Sequence, residues 1–158
     1  MQVLFASKNI IHTSIREAGE CEWIHASWIY GTLYRAEKWE FWSWLSSVWN
    51  PIEGPWFCGG DMNEILWEFE KHGGCDDFHT RPRFLHEFMT NMELLDLGFC
   101  GPKYTWRGTR NNGLVQQRLD RRIANGSWQG ECREDTVGIN QVVQDHFTDL
   151  FTSGGQRE

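Results

Sequence analysis

Asp61 and Asn63 stand two residues apart in Gly59-Gly60-Asp61-Met62-Asn63-Glu64, directly after the apolar run Pro55-Trp56-Phe57-Cys58. An apolar run that stops on glycines reads as a buried strand whose end is open to a ligand. Alternate residues of an extended chain project to one side, and glycine lets the backbone approach a bound group closely. An aspartate and an amide in one cleft suit activation of a water and contact with a phosphate better than they suit packing. The same residues are also good turn formers, because Asp and Asn side chains bond nearby backbone amides. Alone, the pattern decides little; its weight comes from its companions.

Tyr30 closes the Trp- and Ile-rich run from Glu22, with Gly31 as its stop. Thr105 and Trp106 follow the turn residues Gly101-Pro102, and Asp120 sits in Arg118-Leu119-Asp120-Arg121. Each has a plain structural reading: Tyr30 as half-buried core, Trp106 as packing, Asp120 as a surface ion pair worth about 0 to 1 kcal/mol. Arg107, Arg110, Arg118, Arg121 and Arg122 share a stretch in which Asp120 is the lone acid. They read as a patch that meets phosphate, or as a solvated face. His12, His25, His72, His79 and His86 have no metal-ligand spacing and read as surface or loop residues.

These groups need elements to position them. Val3-Leu4-Phe5, the run from Glu22 to Tyr30, Pro55 to Cys58 and Leu94 to Leu97 read as strands. Trp39, Trp42, Leu45 and Val48 recur at helical spacing, which predicts a helix from Glu37 to Val48 ended by Asn50-Pro51. A second helix, Thr80 to Met92, has Thr80 as N-cap and one face of Phe84, Leu85, Phe88, Met89 and Met92. Asn111-Asn112-Gly113 signals a hairpin between Tyr104–Arg107 and Leu114–Leu119. A last helix is predicted from Val137 to Phe151. Strands and helices mix with antiparallel signals, so the class is α/β or α+β around a sheet.

A chain of 158 residues with 40% apolar content supports one domain with a real core. Ten tryptophans, crowded around Trp39 to Trp56, imply a strongly aromatic core or a surface without its cover. The net charge of -7 opposes long-range attraction to nucleic acid, so any such contact is local. The five cysteines contain no Cys-x-x-Cys pair, which supports neither a disulfide framework nor a zinc site. Reduced thiols and a nuclear or cytoplasmic setting are the expectation, with no apolar run of membrane-spanning length.

Taken in order, Tyr30-Gly31, Gly60-Asp61-Met62-Asn63, Gly101-Pro102-Lys103-Tyr104-Thr105-Trp106 and Arg118-Leu119-Asp120-Arg121 resemble the endonuclease/exonuclease/phosphatase superfamily, whose fold is deoxyribonuclease-I-like. Within it, the chain is most similar to the endonuclease domain of plant non-LTR (LINE-type) retrotransposon polyproteins, over roughly Val3 to Ile123. The resemblance implies roles. Asp61 orients or deprotonates the attacking water. Asn63 bonds the scissile phosphate and helps hold Asp61. Tyr30 stabilises charge near the phosphate, and Asp120 orients neighbouring groups in the cleft. Thr105 and Trp106 pack beside the cleft, and with Arg118 and Arg121 they form the substrate-binding set. Mg²⁺, or Mn²⁺ with the same oxygen ligands, is the implied cofactor, and DNA the implied partner.

The chain departs from that pattern in two places. No glutamate before Tyr30 has the context of the family's metal ligand; Glu17, Glu20 and Glu22 sit in or beside a turn, so the metal ligand is unassigned. Gln144-Asp145-His146-Phe147 imitates the family's closing Ser-Asp-His, but Ile139, Val142, Val143 and Leu150 give it helical spacing. That tail resembles the linker before a reverse transcriptase. The resulting expectation is a partial α/β sandwich with mixed and antiparallel sheets over residues 1–125, incomplete at both ends, and a linker-like tail over 126–158. Its function reads as a relic or fragment of a divalent-metal-dependent DNA endonuclease, weakly active or inactive. The alternatives are a non-catalytic interaction fragment and a small-molecule phosphatase or phosphodiesterase. Exposed apolar surface is expected to promote self-association.

Overall fold

In the computed structural model, residues 1–16, 23–49, 52–74, 79, 82–99, 101–110 and 113–131 are described. The predicted helix from Val137, the cap at Thr80, the turn residues Asn111 and Asn112, Glu17, Glu20, Glu22 and His146 fall outside them.

Nine strands and three helices are described. Six strands form one sheet in the order β1 (Gln2–Ala6), β2 (Ile10–Ile15), β3 (Ile24–Tyr30), β4 (Trp56–Asp61), β9 (Asp120–Ala124) and β6 (Leu95–Asp96). β3 and β4 are parallel and every other pair is antiparallel. The parallel pair needs a crossover, which α1 (Lys38–Val48) supplies. A second sheet orders β5 (Lys71–His72), β8 (Gly113–Gln117) and β7 (Trp106–Arg110). The predicted hairpin is β7–β8, pairing Arg110 with Gly113.

One face of the large sheet holds the main core. Trp56, Cys58, Ile123, Ile10 and Ile29 meet Phe41, Trp42 and Leu45 of α1 and Leu85, Phe88 and Met89 of α2 (Phe84–Asn91). Trp42 packs on Phe88 with ring centres 5.3 Å apart. The apolar face expected for α2 is the face it buries. On α1 the buried stripe is Phe41, Trp42 and Leu45, while Trp39 and Val48 are exposed. Strict three-residue spacing drifts around a helix of 3.6 residues per turn, so its two ends leave the core. On the opposite face Phe57 and Ala124 pack with Trp128 of the short helix α3 (Gly126–Glu131).

β4 continues through Gly59 and Gly60 to Asp61, where the sequence pattern predicts a stop. Both glycines are paired on both sides, to Trp28 and Ile29 in β3 and to Arg122 and Arg121 in β9.

His12 corrects its sequence reading as a surface residue. It is buried, its Nδ1 lies 2.8 Å from the Ser27 hydroxyl, and its ring stacks on His25. The alternation of β2 forces this, because His12 shares a face with Ile10. Burial lowers the pKa of His12, with His25 adding to the effect, and burial lowers that of His25. A lowered folded-state pKa means the unfolded chain binds more protons below about pH 6.5. The histidines' contribution to stability is therefore intact above that pH and is lost as pH falls. Between pH 7.5 and 5.5 the thermal midpoint of a His12→Gln, His25→Gln variant should fall less, or rise more, than that of the wild type. An unchanged slope in that variant would contradict the assignment.

Candidate active site

Sheet register brings Tyr30, Asp61 and Asp120 side by side. Tyr30 pairs with Asp61 across β3–β4, and Asp61 pairs with Asp120 across β4–β9. Residues paired in this way project from the same face with neighbouring Cα atoms about 4.5 to 5.5 Å apart. A phenol and two carboxylates thus form one row at one end of the large sheet.

Beyond that row the backbone is held tightly. The Gly31 amide donates to the Asp61 carbonyl at 2.7 Å, and the Met62 amide donates to the Leu119 carbonyl at 2.9 Å. Asn63 follows in the left-handed region at φ +50°, a conformation its short polar side chain tolerates. Its backbone amide donates to Asp61 Oδ1 at 2.9 Å, and its side-chain Nδ2 donates to the Gly31 carbonyl at 2.7 Å. Asn63 thus supports Asp61 through its main chain and locks the exits of β3 and β4 together through its amide. Strand alternation does not place it; the turn does. Thr105 Oγ1 accepts the amides of Leu119 at 3.0 Å and Asp120 at 3.1 Å, which fixes the start of β9.

Burial raises the pKa of the Asp61 carboxyl to about 6. The amide of Asn63 opposes that rise, the charge of Asp120 adds to it, and the charge of Lys38 opposes it. A carboxyl tuned toward neutrality beside a second carboxyl is an arrangement suited to general-base work. Among the described residues Asp61 Oδ2 has no hydrogen-bond partner, nor has the Tyr30 hydroxyl, and Tyr30 is 45% exposed.

Lys38, the first residue of α1, also belongs to this site and was invisible to motif reading. Its Nζ donates to the Asn63 carbonyl at 2.5 Å and to Glu64 Oε1 at 2.8 Å. A cation in the first turn of a helix opposes the helix dipole, and that local mismatch is the one sequence signal that marks it.

Arg118 and Arg121 are not where a substrate-binding role needs them. The Arg121 side chain is fully buried; its Nη2 donates to Glu70 Oε2 at 2.5 Å and its Nη1 pairs with Asp96. Arg118 lies 3.8 Å over the Phe99 ring and 4.0 Å from Glu70, and burial lowers its pKa. Arg121 is a core piece because β9 alternates and turns it, with Ile123, toward the helices; Arg118 lies before β9 and is buried against Phe99 and Glu70. Trp106 opens β7 in the smaller sheet, where its ring fills the space over Gly108.

No protein-family profile matches the chain, and no curated protein sequence does. Solved structures are similar to it. The endonuclease domain of TRAS1, a telomere-specific non-LTR retrotransposon, matches with a TM-score of 0.50 and 18% identity, over 75% of this chain and 51% of that one. The fold is deoxyribonuclease-I-like. A beta toxin from Staphylococcus aureus matches with a TM-score of 0.46 and 18% identity over 76% of this chain and 44% of that one. Another beta toxin structure, with bound magnesium ions, has a TM-score of 0.45 and 15% identity, over 76% of this chain and 43% of that one. The chain spans about half the length of these structures or less. At 18% identity the likeness to the TRAS1 domain establishes the fold alone.

On this deoxyribonuclease-I-like sheet Asp61 and Asp120 are adjacent oxygen donors. Among the described residues, however, no group of three or more His, Cys, Asp or Glu side chains is placed to hold a metal ion. Two carboxylates, one of them protonated near pH 6, do not make a resident Mg²⁺ site by themselves. On their own these groups can offer proton transfer and hydrogen bonding: a carboxyl with a raised pKa at Asp61 and an exposed hydroxyl at Tyr30.

Proposed function

We propose that this chain carries a slow phosphodiester-hydrolysing site of the DNA-endonuclease kind. The observation that carries the reading is the row Tyr30–Asp61–Asp120, with the Asp61 carboxyl tuned to about pKa 6. Asp61 takes the proton of the attacking water. Tyr30 and the second N–H of the Asn63 side chain donate to the phosphate as charge builds on it, and Asp120 keeps the Asp61 proton affinity high. DNA as substrate, and an origin in a non-LTR retrotransposon, rest on the motif order and on the fold shared with an endonuclease domain. Mg²⁺ or Mn²⁺ enters this reading as an ion brought with the DNA phosphates, since Asp61 and Asp120 do not form a resident site by themselves. With no third carboxylate grouped with the other two among the described residues, the expected rate is low.

Nicking of supercoiled plasmid by the purified chain tests this. Slow nicking is expected that requires Mg²⁺ or Mn²⁺, stops with chelator and disappears in Asp61→Ala. Because the base must be ionised, the rate should fall about tenfold per unit of pH below 6 and level off above it. Equal plasmid conversion by folded wild type and Asp61→Ala would overturn the reading.

A second reading, a non-catalytic interaction fragment, is favoured by β1. This edge strand has all five residues exposed, among them Val3, Leu4 and Phe5, and carries no charge or proline to deter pairing. Self-association in sedimentation, without nicking, is the result that reading expects.

A further inference from the structure

We propose that Lys38 is the positioning residue of this site: its ammonium group, bound to the Asn63 carbonyl and to Glu64, holds the Asp61-Met62-Asn63 turn in its working shape. This rests on the reading that Asp61 does the chemistry. Four observations lead to it.

The turn has to be fixed in place. Asn63 sits at positive φ, a conformation that asparagine tolerates but that strand pairing does not hold. Its carbonyl accepts a hydrogen bond from the Lys38 ammonium at 2.5 Å. The same ammonium reaches Glu64 at 2.8 Å, and the Lys38 side chain is only 13% exposed, the Glu64 side chain 3%. The buried Glu64 carboxylate is thus paired with the same ammonium group that holds the turn.

Asn63 transmits this to the site. Its amide bonds Asp61 Oδ1 and its side chain bonds the Gly31 carbonyl. A shift of Asn63 therefore moves the carboxylate and loosens the end of β3 that carries Tyr30. The charge of Lys38 also acts on Asp61 directly, favouring its ionised form. Finally, Lys38 occupies the first turn of α1, where the helix dipole disfavours a cation by about 0.3 to 1 kcal/mol. A residue set against its local preference, and bonded twice to the turn beside the base, is placed for the site and not for the helix.

The test uses the full chain with Lys38→Met and Lys38→Arg, and two independent readouts. The first is the titration of the Asp61 carboxyl carbon by NMR, assigned with Asp61→Asn; it requires no activity. The second is the pH dependence of plasmid nicking. In Lys38→Met the Asp61 midpoint should move to higher pH, and the acidic limb of the rate profile should move with it. The turnover rate at pH 6.5 should fall about tenfold to a hundredfold, as a misplaced reacting group costs, with little change in the DNA concentration for half-maximal rate. Lys38→Arg should restore most of both. Should Lys38→Met not fold, Lys38→Gln serves with the same expectations. A folded variant whose Asp61 titration is unmoved would overturn the proposal. A moved titration in proteins that never nick would support the role of Lys38 and overturn the nuclease reading instead.

Discussion

Glu70→Ala should cost about 3 to 5 kcal/mol of folding stability, the loss typical when one partner of a buried ion pair is removed. Glu70 is buried and accepts the amides of Leu66 at 2.7 Å and Trp67 at 3.1 Å as well as Arg121 Nη2. Its own carbonyl accepts the Arg118 amide at 2.9 Å. Removing the carboxylate strands two amides and leaves the fully buried Arg121 with Asp96 alone, although its Nε already lacks an acceptor. Arg121 neighbours Asp120, so the loss reaches the site as well. A double variant, Glu70→Leu with Arg121→Met, should recover only part of the stability: it removes the uncompensated buried cation, but the Leu66 and Trp67 amides stay stranded and Asp96 loses its partner. Urea denaturation of the three proteins checks this. A cost below about 1 kcal/mol for Glu70→Ala would show that the pair contributes little.

Gly60→Ala should be among the most damaging glycine substitutions at the described residues. Gly60 has φ +141°, and a Cβ there would overlap the Ile29 carbonyl oxygen of the neighbouring strand. The strand cannot yield, because β3 and β4 are paired from His25–Trp56 to Tyr30–Asp61. The expected cost is about 2 to 4 kcal/mol, with loss of the Tyr30–Asp61 register. Gly31→Ala should behave similarly, since its Cβ would overlap the Met62 carbonyl. Gly98 provides the control. Its φ is +72° but no atom stands within 4 Å of an added Cβ, so Gly98→Ala should cost only about 1 to 2 kcal/mol from backbone strain. Equal costs at Gly60 and Gly98 would contradict the packing described here.

The contrast between these glycines shows what a sequence can and cannot reveal. The Gly-Gly-Asp-x-Asn stretch marks the candidate site because the close approach at Gly60 and the Asp61–Asn63 turn leave local traces. The face of α2 is readable because apolar spacing matches the helical period over its whole length. Arg118 and Arg121 misled because arginine is normally a surface residue, and their partners Glu70 and Asp96 lie too far away in sequence to be guessed. His12 misled for the same reason: β2 alternates into the core, and Ser27 meets it from another strand. Lys38 lies 25 residues from Asn63, and only the crossover of α1 brings the two together. Local order is written in the sequence; long-range pairing of polar groups is not.

The most direct test of the Asp61 assignment is Asp61→Asn, measured for stability and nicking in the same preparation. Asparagine keeps an oxygen for the Asn63 amide and removes only the charge. The folded-state pKa of Asp61 is raised to about 6, so its ionised form opposes folding above that pH, and the penalty is relieved as pH falls toward 4. At pH 7.5 the variant should be more stable by about 1 to 2 kcal/mol, allowing for partial exposure. Its nicking rate should fall at least about a hundredfold, the usual value of a general base. Stability and activity moving in opposite directions is the signature expected of a residue kept for chemistry. A variant that is less stable than wild type and nicks at an unchanged rate would show that Asp61 serves the turn alone.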